Sequence, residues 1–147
     1  MKILLINGPN LNLIGKRNSK IYGKKSIEQI NKALKNKAER MGIELEIFQS
    51  NHEGAIIDRI HETNDIDGII INPGALAHYS YSLRDAIESI KIPVIEIHIS
   101  NIFSREDFRS RSLTAPVCKG FLAGFGWRVY TFALDIIFQI LKDGSQE

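Results

Sequence analysis

The sequence predicts an α/β fold: a doubly wound, five-stranded parallel sheet with helices on both faces. Three observations predict it. Short runs rich in Ile and Val alternate with stretches of helical periodicity along the chain. Several of those runs are apolar almost throughout, as parallel strands covered on both faces are. Polar residues gather where the runs end, which is where open sheets of this kind bind ligands.

The elements follow in order. Residues 3–6 form the first apolar run and empty into Asn7-Gly-Pro-Asn-Leu-Asn-Leu-Ile-Gly15, a loop carrying more amides, Gly and Pro than a turn needs. Ile27, Ile30, Leu34, Ala38 and Met41 fall at helical spacing, with Ser26 as N-cap and Gly42 as stop. A strand is expected over 43–48. Gln49-Ser-Asn-His-Glu-Gly54 reads as helix entry, capped by Ser50 or Asn51, before a helix marked by Ile56, Ile57, Ile60 and His61; His52 and Glu53 read as structural or interfacial. Strands at 68–71, 93–99 and about 117–124 complete the sheet, with helices over 80–90 and 127–141. The last helix is apolar on most faces and should pack on the sheet or on a neighbouring subunit. The order is that of a flavodoxin-like sheet.

Composition narrows the function. The chain has 147 residues, 44% hydrophobic and 24% charged, with net charge +2, and reads as one domain over 1–147 with residues 143–147 frayed. The single Cys118 precludes an internal disulfide framework and suits a reducing compartment. No signal peptide or membrane-length apolar run is legible, so a cytoplasmic protein is expected. The basic cluster over 16–25 lacks interleaved aromatics beyond Tyr22, and nucleic acid is not an expected partner. No G-x-G-x-x-G, P-loop, nucleophile elbow or metal-ligand spacing occurs, so no cofactor and no metal are expected.

Acid/base and hydrogen-bonding groups remain. Asn7, Asn72 and His98 each end a predicted strand and should meet in one crevice. Glu96 and His98, two apart on a strand, point to one face. Buried side by side they are costly unless paired, and a carboxylate fixes the tautomer of a neighbouring imidazole. Residues 104–109 look like a short helix with Arg105 and Arg109 one turn apart; such an arginine could clamp a hydroxyl or carboxylate. His78, in the loop after Asn72, takes its significance from these neighbours. Two readings stay open on these residues: an acid/base enzyme, or a non-catalytic module binding a small polyhydroxylated acid or a nucleotide.

The motifs together resemble those of the type II 3-dehydroquinate dehydratases. The matching segments are Asn7 to Gly15, Arg17 with Ile21-Tyr-Gly23, Gln49-Ser-Asn-His-Glu-Gly54, Ile70-Ile-Asn-Pro-Gly-Ala75 and His78. They continue with Leu83-Arg-Asp-Ala86, Ile95-Glu-Ile-His-Ile-Ser-Asn101, Arg105-Glu-Asp-Phe-Arg109, Ala115-Pro116, Gly120 and Gly124-Phe-Gly126. The resemblance implies a flavodoxin-like subunit in a homo-oligomer, a dodecamer built as a tetramer of trimers. It implies dehydration of 3-dehydroquinate to 3-dehydroshikimate by anti elimination through an enolate, without metal, cofactor or Schiff base. By the same resemblance Tyr22 is the base and Arg17 the cation that favours its phenolate, since a free phenol has a pKa of about 10. Asn10 holds a water that donates to the enolate oxygen, His98 protonates the leaving hydroxyl, and Glu96 orients its ring. Ile99 and Ser100 hold the substrate carboxylate, and Asn72, His78 and Arg109 bind ring hydroxyls. Asp85 approaches from a neighbouring subunit, and Arg105 belongs to the lid or site wall.

The chain departs from the family pattern in its lid. Arg17-Asn-Ser-Lys-Ile-Tyr22 lacks the acidic residue and proline common between Arg and Tyr, which bears on lid stiffness and closing. Phe103 and Arg111 replace frequent histidines. Tyr79 and Tyr81 are bulkier than the usual residues after His78.

Overall fold

The computed structural model describes residues 1–145, and its core is one five-stranded parallel sheet of order β2-β1-β3-β4-β5. The strands are β1 (Lys2–Asn7), β2 (Glu44–Gln49), β3 (Gly68–Asn72), β4 (Val94–His98) and β5 (Gly120–Ala123). The helices are α1 (Ser19–Tyr22), a short turn in the lid, then α2 (Ile27–Arg40), α3 (Glu53–His61), α4 (Tyr81–Glu88) and α5 (Arg128–Gly144). This is the flavodoxin-like order, and it bears out the fold expected from the alternating pattern.

The pleat explains why the strands are apolar throughout. On β1, Ile3 and Leu5 face α2 and α5, while Leu4 and Ile6 face α3 and α4. Each face therefore has its own core, and each fully buried Ile or Leu contributes about 1.5–3 kcal/mol. The apolar stripe of α5, comprising Val129, Tyr130, Ala133, Leu134 and Ile137, is buried, whereas Phe132 and Ile136 on its outer side are exposed.

Local chemistry sets the boundaries. Ser26 caps α2 as expected: its Oγ accepts from Gln29 N at 3.1 Å, and Gln29 Oε1 accepts from Ser26 N at 2.9 Å, a reciprocal box. Ser80 caps α4 by accepting from Leu83 N at 3.0 Å. The α3 entry differs from expectation. His52 occupies its N-cap position without a side-chain bond, Ser50 Oγ accepts from His52 N instead, and Asn51 turns toward the loop after β1. The short helix expected over 104–109 is replaced by two 3-10 turns, Ile102–Ser104 and Asp107–Ser110. The fifth strand is shorter than expected because Ala115–Val117 closes into another 3-10 turn ahead of it. At the carboxyl end α5 runs through Gly144, and residues 146–147 lie outside the described residues.

The direction in which strands are added reverses between β1 and β3, with β2 laid down on one side and β4 and β5 on the other. Such a switch point opens a crevice beyond the carboxyl ends of the strands. Gly8 makes the close approach there: its N–H donates to Asn72 O at 2.8 Å, and a Cβ on it would lie 2.6 Å from Pro73 O. Only a glycine fits. At the opposite edge Lys2 gathers Asp65, Glu44 and Glu46, and Arg59 pairs with Glu46. That network fastens the amino ends of the strands, away from the crevice.

Candidate active site

The crevice at the switch point is a cavity of ≈ 110 Å³. The loop after β1 supplies Pro9, Asn10 and Leu11, the lid supplies Arg17 and Tyr22, and the end of β3 supplies Asn72, Gly74, Ala75 and His78. The end of β4 supplies His98, Ile99 and Ser100, and the turns beyond it supply Ile102, Arg105 and Arg109. Residues far apart in the chain thus meet because each ends a parallel strand of one sheet.

Asn10, at φ 69, is the one non-glycine residue in the left-handed region among the described residues. Asn tolerates that conformation better than most residues. Its N–H donates to Asn51 Oδ1 at 2.9 Å, and Gln49 Nε2 donates both to Asn51 Oδ1 and to Gly8 O. Gln49 and Asn51, read from sequence as helix entry, therefore brace the loop that presents Asn10.

The lid brings its two reactive-looking side chains together. Arg17 Nη2 donates to Tyr22 Oη at 3.1 Å, and the guanidinium carbon lies 4.5 Å from the Tyr22 ring centroid. Arg105 stands over the same ring at 5.2 Å and donates to Ser100 Oγ at 3.2 Å. Two cations thus flank one phenol. Gly15 makes the lid's base possible: it has φ +88, and a Cβ there would come within 2.8 Å of Ser26 Cα.

Glu96 and His98 pair as their spacing predicts. His98 Nε2 donates to Glu96 Oε2 at 2.9 Å, and Glu96 is fully buried. The carboxylate takes two further donors, Ser112 Oγ at 2.7 Å on Oε2 and Thr114 Oγ1 on Oε1. Ser112 Oγ in turn accepts from Ala115 N at 2.9 Å. Sequence reasoning missed this cradle. Its signal was Ser112 and Thr114 directly after the arginine-rich turn, on a segment that has to pass β4.

His78 stacks on His98 with ring centroids 6.1 Å apart. Its Nδ1 donates to Arg111 O at 2.8 Å, which leaves Nε2 free to accept. Burial, together with the charges of His98 and Arg109, holds the His78 imidazole below its usual pKa of 6.5. Arg109 lines the cavity and ties its Nε to Glu106 Oε2 at 3.1 Å. Asn7 behaves differently from expectation. It is fully buried behind the cavity and does not line it, because the phenol of Tyr130 stands against its side chain. Asp85 is exposed on α4 and lies outside the cavity of this chain. Among the described residues no group of three His, Cys, Asp or Glu has the arrangement of a metal site, and no helix is long and apolar enough to cross a membrane.

A flavodoxin-like sheet whose switch point holds a Tyr–Arg pair on a lid and a Glu–His pair on a strand defines an α/β enzyme with acid/base equipment. Comparison with known proteins supplies the family. Residues 1–138 match the class II dehydroquinases. A 3-dehydroquinate dehydratase of Bacillus mycoides is 57% identical over 143 residues, 97% of this chain and 98% of that protein. The crystal structure of a type II dehydroquinase from Butyrivibrio crossotus superposes with TM-score 0.92 at 51% identity, covering 93% of this chain and 97% of that one. One from Propionibacterium acnes gives TM-score 0.88 at 33% identity, covering 96% of each. The chain belongs to the class II dehydroquinase family and is a hydro-lyase of the type II 3-dehydroquinate dehydratase kind.

Proposed function

We propose that this chain dehydrates 3-dehydroquinate to 3-dehydroshikimate by anti elimination through an enolate, with Tyr22 as base and His98 as acid. The observation that carries the proposal is the Arg17–Tyr22 contact at 3.1 Å in a small cavity that is also lined by His98, itself paired with the buried Glu96. A base and an acid lining one cavity are what an elimination needs.

The steps balance. Tyr22 phenolate takes the proton beside the ketone, and the electron pair moves into the carbonyl to give an enolate. Arg17 places positive charge on the oxygen that must be negative beforehand. Asn10 orients a water that donates to the enolate oxygen, an oxyanion-hole role. The enolate then collapses, the C–O bond breaks and His98 protonates the departing hydroxyl, which leaves as water. Because His98 Nε2–H is committed to Glu96, the transferred proton resides on Nδ1, and Glu96 balances the imidazolium that delivers it. Ser100 and the Ile99 backbone hold the carboxylate, with Arg105 reinforcing Ser100. Asn72, His78 and Arg109 bind the ring hydroxyls.

The functional unit in this reading is a homo-oligomer, a dodecamer arranged as a tetramer of trimers. Exposed Phe125 and Phe132, whose rings meet edge to face with centroids 5.9 Å apart, support association, because contiguous exposed apolar surface marks an interaction site. Asp85 reaches a neighbour's cavity from the exposed side of α4.

The test is absorbance of the conjugated enone product when purified protein meets 3-dehydroquinate. A rise that survives chelator and borohydride is expected, as is near-complete loss in Tyr22→Phe and Arg17→Ala with fold and assembly retained. No rise with folded, assembled protein would sink the proposal.

A further inference from the structure

At and beneath the cavity floor lie three buried polar side chains. Asn7 and Asn72 are register partners at the carboxyl ends of β1 and β3, exposed by 0% and 2%. Tyr130 of α5, also fully buried, reaches between them. Its Oη donates to Asn7 Oδ1 at 2.7 Å and accepts from Asn72 Nδ2 at 3.0 Å. Asn72 Oδ1 accepts from Gly74 N at 3.2 Å.

Every direction in this chain of bonds is determined. A phenol has one proton to give, and burial pushes the Tyr130 hydroxyl well above its ordinary pKa, so the proton stays on. Asn7 offers Oδ1 to receive it. The remaining lone pair of Tyr130 must then meet a donor, which selects Nδ2 of Asn72 over Oδ1. The Gly74 N–H selects Oδ1 on the other side of the same amide. Stability does not account for the trio, because Asn7 Nδ2 is buried with no partner. An unsatisfied buried donor costs its full desolvation, and apolar side chains of the same shape would avoid that cost.

We infer that Tyr130 is a positioning residue: its hydroxyl, aimed by Asn7, locks the amide of Asn72 in one of its two flips and so fixes which hydrogen-bonding groups Asn72 shows the substrate. Asn72 lines the cavity and Tyr130 does not, so Tyr130 acts through Asn72 alone. The inference rests on the dehydratase reading for its kinetic consequence, though not for its geometry.

The experiment is a double-mutant cycle on the full-length protein with 3-dehydroquinate. Tyr130→Phe should raise KM about tenfold while kcat stays within about threefold, the pattern of lost uniform binding. Added to Asn72→Ala, the same change should leave KM within about twofold of the single variant, since the amide it positions is gone. A parental KM in Tyr130→Phe overturns the inference. So does an equal KM rise in both backgrounds, which would mark a general packing role. If Tyr130→Phe does not fold, Asn7→Ala keeps the phenol but frees its hydroxyl to turn, and a KM rise of about threefold is expected; an unchanged KM refutes the aiming role. A crystal structure of Tyr130→Phe gives a reading independent of turnover. A turned or displaced Asn72 side chain is expected, and an unmoved one overturns the inference even if the parental protein dehydrates nothing.

Discussion

Thr114→Val isolates one donor of the Glu96 cradle. Valine keeps the shape of threonine, so packing is little changed, and the lost group is the hydroxyl that donates to Glu96 Oε1. Both residues are fully buried, and no other donor meets that oxygen among the described hydrogen bonds. A hydrogen bond to a charged group contributes about 1.5–3 kcal/mol, and an orphaned carboxylate oxygen falls at the upper end of that range. For a chain of this length each kcal/mol moves the melting temperature by roughly 2–4 °C, so a fall of about 5–10 °C is expected. Thermal unfolding followed by circular dichroism, at fixed protein concentration because association shifts Tm, provides the measurement. The kinetic consequence is separate. With Glu96 held on one oxygen only, the imidazole of His98 loses its fixed aim, and kcat should drop about tenfold with KM nearly unchanged, since Thr114 does not line the cavity. Thr114→Ser, which retains the hydroxyl, should recover most of both. A Thr114→Val protein with parental Tm and parental kcat would falsify the cradle's role.

Three further outcomes follow from the same geometry. His78 has a folded-state pKa below its unfolded value of about 6.5, so the folded chain binds fewer protons there, and its contribution to stability, whole above pH 6.5, is lost as pH falls below it. Replacing His78 by Asn should flatten the stability curve in that acidic interval, and chemical denaturation at stepped pH would reveal an unflattened curve if the histidine were not involved. The Cys118 thiol is half-buried and its pKa is pushed up to about 12 by desolvation, so little thiolate exists at neutral pH; a disulfide reagent should label it slowly in the native protein and rapidly in denaturant, and equal rates would contradict its burial. Finally, Lys16, Arg17, Lys20, Lys24 and Lys25 crowd a lid segment that has no acidic residue, a field that draws in an anionic substrate. Raising salt from low to physiological strength should lower kcat/KM several-fold, and Lys20→Glu should both lower kcat/KM and weaken its salt dependence; a salt-insensitive parental kcat/KM would dismiss steering.

Much of the fold was legible because buried parallel strands and capped helices leave local signatures. The Ile-rich runs gave β1, β3 and β4 to within a residue or two, and Ser26 and Gly42 bounded α2 on the strength of known capping chemistry. The expected helix over 104–109 dissolved into 3-10 turns because its residues carry no apolar stripe to hold a full turn against the sheet, although Arg105 and Arg109 still reach the cavity. The convergence of Asn72 and His98 followed from strand ends alone. Asn7 obeyed the same rule but ended up behind the cavity, since a phenol from the last helix took the space. That phenol, the Glu96 cradle and the Asn51 brace were illegible for one reason: each depends on a contact between segments whose separation along the chain carries no periodic signal.

Tyr130 lies 123 residues after Asn7 in the chain, yet the two are in direct contact beneath the floor of the cavity. β1 therefore waits for α5 before its terminal amide has any partner among these side chains. A nascent chain released or cleaved ahead of α5 would expose the apolar face that helix covers and leave Asn72 unbraced. The floor of the cavity is consequently finished only once α5 has docked against the carboxyl ends of β1 and β3.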